Sequence, residues 1–404
     1  MVLLLIRPGV VIDPLLGALD RQAVLVDGQR IVQVAPVDQL STPPAAQVVD
    51  APGQALLPGF IDSHLHLLGG SLRASFTDGQ QLLQGVENCA RALRAGITTA
   101  VDLGARSHGV FELREAARAG RFPAPRILAA GQGICMTGGH AHGTLAVEAD
   151  GEDGVRRAAR AQLKVGADII KIMATGGANT PNERMGAPQL TPAEMRAAVE
   201  EAHKAGKPAT AHATSAQGIV DALEAGVDII QHGNGIDERG IDLLLKSGRY
   251  VVPTCSILPR MVRGDLWPVP DYMREKASTA WSERKASLAR TVSAGVCMAF
   301  GTDSGGPMHP AGDIALEFEG LLEAGAQPLD LVRMATIERA KMLGVQDEIG
   351  TVAVGACADL ILVDGNPLAD PSALTRVRAV WQRGEPVLLT PPNDDGYQAF
   401  RVRL

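Results

Sequence analysis

Between residues 95 and 300 the chain repeats one phrase. A segment with helical spacing closes on Ala-Gly, Val-Gly or Ser-Gly, and a short apolar run follows within about four residues. The phrase occurs at Ala95-Gly96 before Ile97-Thr98-Thr99-Ala100-Val101, at Val165-Gly166 before Ile169-Ile170-Lys171-Ile172, and at Ala205-Gly206 before Ala209-Thr210-Ala211-His212. It recurs at Ala225-Gly226 before Ile229-Ile230-Gln231-His232, at Ser247-Gly248 before Tyr250-Val251-Val252, and at Ala294-Gly295 before Cys297-Met298-Ala299-Phe300. Glycine ends a helix at low cost because it accepts left-handed dihedrals, and an apolar run without alternation suits a strand covered on both faces. Thr191-Pro192-Ala193-Glu194 reads as a capping box, with Met195, Ala198, Val199 and Ala202 following at helical spacing up to Gly206.

With strands over 57–67 and near 126–133 the count reaches eight, which predicts an α/β fold of the (β/α)8 TIM-barrel type. An open doubly wound sheet is the alternative, but no G-x-G-x-x-G opens a helix. The ends differ from the middle. Residues 1–55 and 349–390 alternate short apolar runs with turns, and neither end can bury a sheet face alone. We expect them to pair as a small β-sandwich domain formed from both termini (1–57 and 346–404), with the barrel (58–345) inserted between.

Composition narrows the function classes. Of 404 residues 46% are hydrophobic, enough for a large core, and only 3% are aromatic, too few for a base-stacking platform. A net charge of −7 without a basic run argues against nucleic acid as a partner. The five cysteines Cys89, Cys135, Cys255, Cys297 and Cys357 are scattered and never spaced C-x-x-C, so a reducing, cytoplasmic home is expected. Cys255 and Cys297 read as small core residues rather than nucleophiles. The apolar run Val2–Ile6 is too short for a signal h-region and reads as a strand, and no stretch approaches a membrane span. A small-molecule substrate is therefore the expected partner, with homo-oligomerisation left open.

Barrel active sites lie at the C-terminal ends of the strands, and there this sequence carries metal-ligand side chains. His64 and His66 in Gly59-Phe60-Ile61-Asp62-Ser63-His64-Leu65-His66 share one strand face, roughly 6.5–7 Å apart. The fifth, sixth and eighth strands end in His212, His232 and Asp303. Lys171 stands inside the apolar strand Asp168-Ile169-Ile170-Lys171-Ile172-Met173, where a buried ammonium is costly. Desolvation favours the neutral amine, and a neutral amine can add carbon dioxide to become a carbamate that bridges two cations. Two divalent ions with the carbamate, Asp303 and a bridging hydroxide would leave one net positive charge for an anionic transition state.

On Pro58-Gly59-Phe60-Ile61-Asp62-Ser63-His64-Leu65-His66, Lys171, His212, His232, Gly301-Thr302-Asp303 and the tail Gly350-Thr351-Val352-Ala353-Val354-Gly355 with Ala358-Asp359-Leu360 and Asp364-Gly365-Asn366-Pro367, the chain resembles the amidohydrolase superfamily over nearly its whole length. The resemblance implies that His64, His66, Lys171 and Asp303 hold one ion and that Lys171, His212 and His232 hold the other. It implies a binuclear hydrolase that attacks an amide-type C–N bond with a metal-bridging hydroxide, Asp303 moving the proton. The donors are nitrogen and oxygen, which suits zinc first and also manganese, cobalt or iron. Thr137-Gly138-Gly139-His140 and Lys171-Ile172-Met173-Ala174-Thr175-Gly176-Gly177 resemble the imidazolonepropionase-related and Xaa-Pro dipeptidase-like branch, which puts His140 beside the substrate carbonyl. In that branch's peptidase pattern a tyrosine follows Val-Pro-Thr, whereas Val252-Pro253-Thr254 leads here to Cys255-Ser256-Ile257-Leu258. Peptide and non-peptide amides (dipeptide, N-acyl amino acid, carbamate, urea, lactam) thus both stay open.

Two other readings compete. A mononuclear deaminase of the same superfamily needs a glutamate three residues after the strand-five histidine, where this chain has Ser215. A non-catalytic binding or assembly protein would have little use for all six ligand side chains. His108, His142 and His309 are loop histidines that could reach the pocket, while His203 lies on the capped helix and reads as solvated or half-buried. Arg73, Arg106 and Arg260 are candidates for pairing a substrate carboxylate. Loops 67–79, 133–150, 255–271 and 304–312 are expected to shape the pocket.

Overall fold

The structure is a computed structural model that describes residues 3–70 and 76–387. Among the described residues, segments from the N-terminal and the C-terminal part share one sheet of eight strands. Leu3–Asp13, Gly17–Asp20, Gln22–Asp27, Arg30–Pro36 and Gln47–Pro58 come from the N-terminal part, and Leu360–Asp364, Val377–Gln382 and Glu385–Pro386 from the C-terminal part. The join is antiparallel, with Leu360 opposite Pro58 and Ile361 opposite Leu57. Gly17–Asp20 pairs to one side with Leu3–Asp13, and the other seven strands follow one hydrogen-bonded path that curls on itself. Its edge strand Arg30–Pro36 bonds to the segment leading into Leu360, through Ile31 N to Ala356 O (2.9 Å) and Gly355 N to Ile31 O (2.8 Å). Curling closes the apolar face over Leu4, Ile6, Val24, Leu56, Leu360 and Trp381. Each such side chain contributes about 1.5–3 kcal/mol when fully buried.

The middle of the chain is mixed α/β with parallel sheets. Phe60–Leu65, Ile97–Asp102 and Arg126–Ala129 form one; Gly133–Cys135, Ile170–Met173, Ala209–Ala213, Ile229–His232 and Tyr250–Val252 form the other, with Ala146–Glu148 beside Gly133–Cys135. The strand expected near 126–133 is thus two pieces, separated where Gly131 turns the backbone to φ +73°. All six glycines of the repeated phrase have positive φ, from 63° at Gly248 to 101° at Gly226. The capping box at Thr191 has both of its hydrogen bonds, Glu194 N to Thr191 Oγ1 and Thr191 N to Glu194 Oε2.

Hydrogen bonds cross between the two parallel sheets at both edges. Asp168 N donates to Ala129 O (2.9 Å) at one. At the other, the segment 297–304 lies between Tyr250–Val252 and Phe60–Leu65: Val251 N donates to Cys297 O (3.0 Å) and Ser63 N to Phe300 O (3.0 Å). This segment stands where the eighth strand is expected. It makes only isolated bridges at Met298 and Ser304, because Gly301 passes close beside His64 and Val252 and Asp303 turns to φ +58°. Cys255 is in the core as expected, but Cys297 is exposed, since side chains alternate here and Val296 and Met298 take the inward positions. Among the described residues no helix is long and apolar enough to cross a membrane.

Candidate active site

One pocket at the C-terminal ends of the parallel strands is lined by His64, His66, His140, Lys171, His212, His232 and Asp303, the full set that the sequence singles out. Asp303 Oδ1 lies 3.1 Å from His66 Nε2 and 3.5 Å from His64 Nε2. The imidazole centres of His64 and His66 are 5.3 Å apart, those of His64 and His232 5.1 Å, and those of His212 and His232 4.5 Å. His140 stacks on His212 at 4.2 Å. Strain gathers here, where His232 (φ +69°), Thr254 (φ +47°) and Asp303 (φ +58°) hold left-handed dihedrals although none is glycine.

Groups behind the rings orient them. His64 Nδ1 donates to Gln231 Oε1 (2.9 Å), itself tied to Thr210 Oγ1 (2.8 Å), and His66 Nδ1 donates to the Gly104 carbonyl (2.9 Å). His232 Nδ1 meets Thr254 Oγ1 at 2.8 Å. With Nδ1 so engaged, neutral His64 and His66 turn their Nε2 lone pairs toward Asp303, acceptor against acceptor, an arrangement that calls for a proton or a cation between them. Below, Asp62 accepts from His64 N (3.1 Å), Thr302 N (3.1 Å) and Thr302 Oγ1 (2.7 Å), bracing the first strand against the segment that carries Asp303.

Burial dominates the electrostatics. His64, His212 and His232 are held well below the usual histidine range, first by desolvation. For His64 and His212 neighbouring positive charge comes next, while for His232 desolvation prevails over the opposing pull of Asp303, so all three present the neutral form that binds metal. For His66 burial pulls down, but the hydrogen bond and charge of Asp303 prevail and raise it. For Asp303 burial pushes up, yet the His66 hydrogen bond and charge, with His232 and Lys171, hold it well below the usual carboxylate range. Desolvation lowers Lys171 to about 7 against the opposing pull of Asp303, and raises Asp62 to about 7. Lys171 is 2% exposed, and its Nζ has no hydrogen-bond partner among the described residues.

The other candidates lie elsewhere. His142 Nδ1 meets Gly139 O, His309 Nε2 meets Asp313 O, exposed His203 meets Asp228, and His108 precedes the helix Gly109–Arg118. None of the four lines the pocket. Arg260 is committed to Asp313 (2.6 Å), Arg106 reaches Phe76 O away from the site, and Arg73 lies outside the described residues. Loops 133–150 and 255–271 contribute to the wall as expected, through His140, Leu145, Ile257 and Met261. The described parts of 67–79 and 304–312 do not, whereas 174–190 supplies Ala178, Asn179 and Met185. Glu183, Gln231, Thr254 and Arg284 escape the sequence reading. Gln231 carries the same signal as Lys171, a polar side chain in an apolar strand, while the other three carry none.

The amidohydrolase family profile matches residues 55–387. Ochratoxinase of Aspergillus niger is 28% identical over 373 residues, covering 82% of this chain and 75% of its own. The solved structure of a prolidase complexed with N-methylphosphonate-L-proline has a TM-score of 0.86 at 32% identity, over 95% of this chain and 99% of that one. A Xaa-Pro dipeptidase with bound methionine gives 0.87 at 30% identity, again over 95% and 99%. This chain belongs to the amidohydrolase family and is a hydrolase acting on carbon–nitrogen bonds.

Proposed function

We propose that the protein is a binuclear metal-dependent amidohydrolase that cleaves an amide-type C–N bond of a small molecule, within a closed (β/α)8 barrel (58–345) carried by a two-termini sheet domain (1–57 and 346–404). The single observation that carries this reading is the unpartnered, buried amine of Lys171 among four histidines and Asp303. The donor set fits two divalent ions, zinc foremost. His64, His66 and Asp303, whose ligand atoms lie within 4.8 Å of one another, would hold one ion, and His212 with His232 the other. Lys171, as a carbamate formed when its neutral amine adds carbon dioxide and releases a proton, would bridge them. When bound, the ions supply Lewis acidity to the scissile carbonyl and acidify the attacking water.

The chain's own groups do the rest. Asp303, anionic at neutral pH, accepts the proton of the attacking water on a carboxylate oxygen and passes it to the leaving nitrogen. His140, fixed through Nδ1 by Glu183, offers its other nitrogen to the substrate carbonyl or the group beside it. Leu103, Leu145, Ile257 and Met261 keep water from the apolar part of the substrate. The position that a deaminase of this superfamily fills with glutamate is Ser215, whose hydroxyl accepts from Gly218 N as a helix cap. We place the protein in the cytoplasm, in keeping with its five unpaired cysteines.

The test is metal analysis after reconstitution with zinc and bicarbonate, followed by a panel of N-acyl amino acids, dipeptides, lactams and aryl ureas. About two ions per chain with turnover of a panel member supports the reading. No bound ion, or no metal-dependent hydrolysis, overturns it.

A further inference from the structure

Among the described residues one guanidinium lines the pocket, that of Arg284, and it comes from outside the parallel strands, on the long helix Asp271–Ser293. Arg284 is 2% exposed. Nη2 donates to Thr254 Oγ1 at 3.3 Å, and Nε has no partner among the described residues. The acids around it, Glu317 and Asp303, act on it through space rather than by contact. Glu317 spends Oε2 on Ser256 N and Oγ (2.9 Å each), and its Oε1 has no partner among the described residues. A buried cation with donors unspent is costly to keep, and a ligand that supplies the missing acceptors relieves that cost.

Of the other arginine candidates among the described residues, Arg260 pairs with Asp313 and Arg106 reaches Phe76 O, and Lys276, on the same helix as Arg284, donates to Thr180 O (2.7 Å). The same pocket has an apolar and adaptable lining in Met173, Met185 and Met261. A planar fork of donors in a pocket that also has an apolar lining selects a molecule with both a carboxylate and a hydrocarbon body. Thr254 also receives His232 Nδ1, so the guanidinium and a candidate metal-binding ring share one hydroxyl, and an anion docked on Arg284 is held at a fixed offset from the reacting centre.

We propose that Arg284 is the specificity-determining residue that receives the substrate's carboxylate, which makes the preferred substrates amides bearing a free carboxylate rather than neutral ureas, carbamates or lactams. This rests on the proposed hydrolase reading for its catalytic consequence but not for binding.

The experiment therefore has two arms. In metal-free protein, binding of 3-phenylpropanoate and of neutral 3-phenylpropanamide is measured by calorimetry for the parent, Arg284→Gln and Arg284→Lys, with circular dichroism melts to verify folding. The carboxylate should bind at least about 10-fold tighter than the amide to the parent. Arg284→Gln should abolish that preference, and Arg284→Lys should restore part of it. In zinc-loaded protein, kcat/KM for N-benzoyl-phenylalanine over its C-terminal amide should exceed about 100 and collapse toward unity in Arg284→Gln, mostly through KM. Equal binding of acid and amide by the parent, or an unchanged preference in a folded Arg284→Gln, overturns the assignment. Carboxylate-selective binding with no metal-dependent hydrolysis of any member of the panel would sink the binuclear metal-dependent reading while leaving Arg284 as the anion receptor.

Discussion

Glu183 Oε1 accepts a 2.7 Å hydrogen bond from His140 Nδ1, tying a long surface-facing loop to the ring that stacks on His212. The same oxygen takes Gly177 N (2.8 Å), and Oε2 takes Gln189 Nε2 (2.9 Å), so the carboxylate is itself immobilised. Glu183→Ala should lower kcat by about 10- to 100-fold, the usual cost of losing the carboxylate behind a functional histidine, with Glu183→Gln in between. Steady-state kinetics at constant metal content checks this, and unchanged kcat in Glu183→Ala would remove His140 from the chemistry.

Gly177 offers an independent approach to the same ring. A Cβ there would lie 2.2 Å from His140 Cε1, so Gly177→Ala must displace the imidazole. Turnover should fall by about 10-fold or more while Tm moves by no more than about 5 °C. A variant as active as the parent would mean that the ring position is immaterial.

Asp303→Asn keeps the shape of the side chain and an oxygen for a cation but loses the proton acceptor. Turnover should fall by about 10²- to 10⁴-fold, with at least one ion per chain retained by elemental analysis. Parental turnover in this variant would assign the proton transfer to another group.

Lys171 makes a prediction for the metal-free protein. Its amine keeps a proton up to the ordinary 10.5 when unfolded but releases it near 7 when folded. Between those values the unfolded state binds the additional proton, so stability rises with pH, by up to about 1.4 kcal/mol per pH unit. Below pH 7 both states are protonated and the full cost of burying the ammonium is present. Chemical denaturation from pH 7 to 8, short of the ordinary thiol range, should show this rise in the parent and a flatter profile in Lys171→Met. Parallel profiles would mean that the amine is not desolvated as the structure has it. With zinc and bicarbonate, Lys171→Met should also bind about one ion fewer.

Most of the candidate site was legible because parallel strands covered on both faces leave no ordinary place for a polar side chain. Lys171, His212 and His232 therefore stood out against Ile and Ala, and the glycines with positive φ marked where each helix ends. What escaped notice lacked such a background. Arg284 sits on a helix rich in Arg, Lys and Glu, where a buried guanidinium looks like its solvated neighbours until packing is known. Glu183 belongs to an irregular loop with no period to interrupt. The segment at 297–304 read as a strand by composition, yet its backbone geometry answers to the position of Asp303, not to β propensity. Cys297 departs from the core position expected of it for a related reason, since a one-residue difference in phase decides which of two apolar neighbours turns outward.

The strand Gln47–Pro58 runs through Gly59 directly into Phe60–Leu65, which carries His64, and it is flanked by Leu360–Asp364, made about 300 residues later. On the ribosome, the scaffold under the first two histidines therefore waits for Leu360–Asp364 to emerge. A prematurely terminated product exposes the flank of Gln47–Pro58 as a bare edge, open to pairing with other chains. Completion of the sheet thus acts as a checkpoint on chain length, placed directly beneath the residues that have the most to lose from incomplete synthesis.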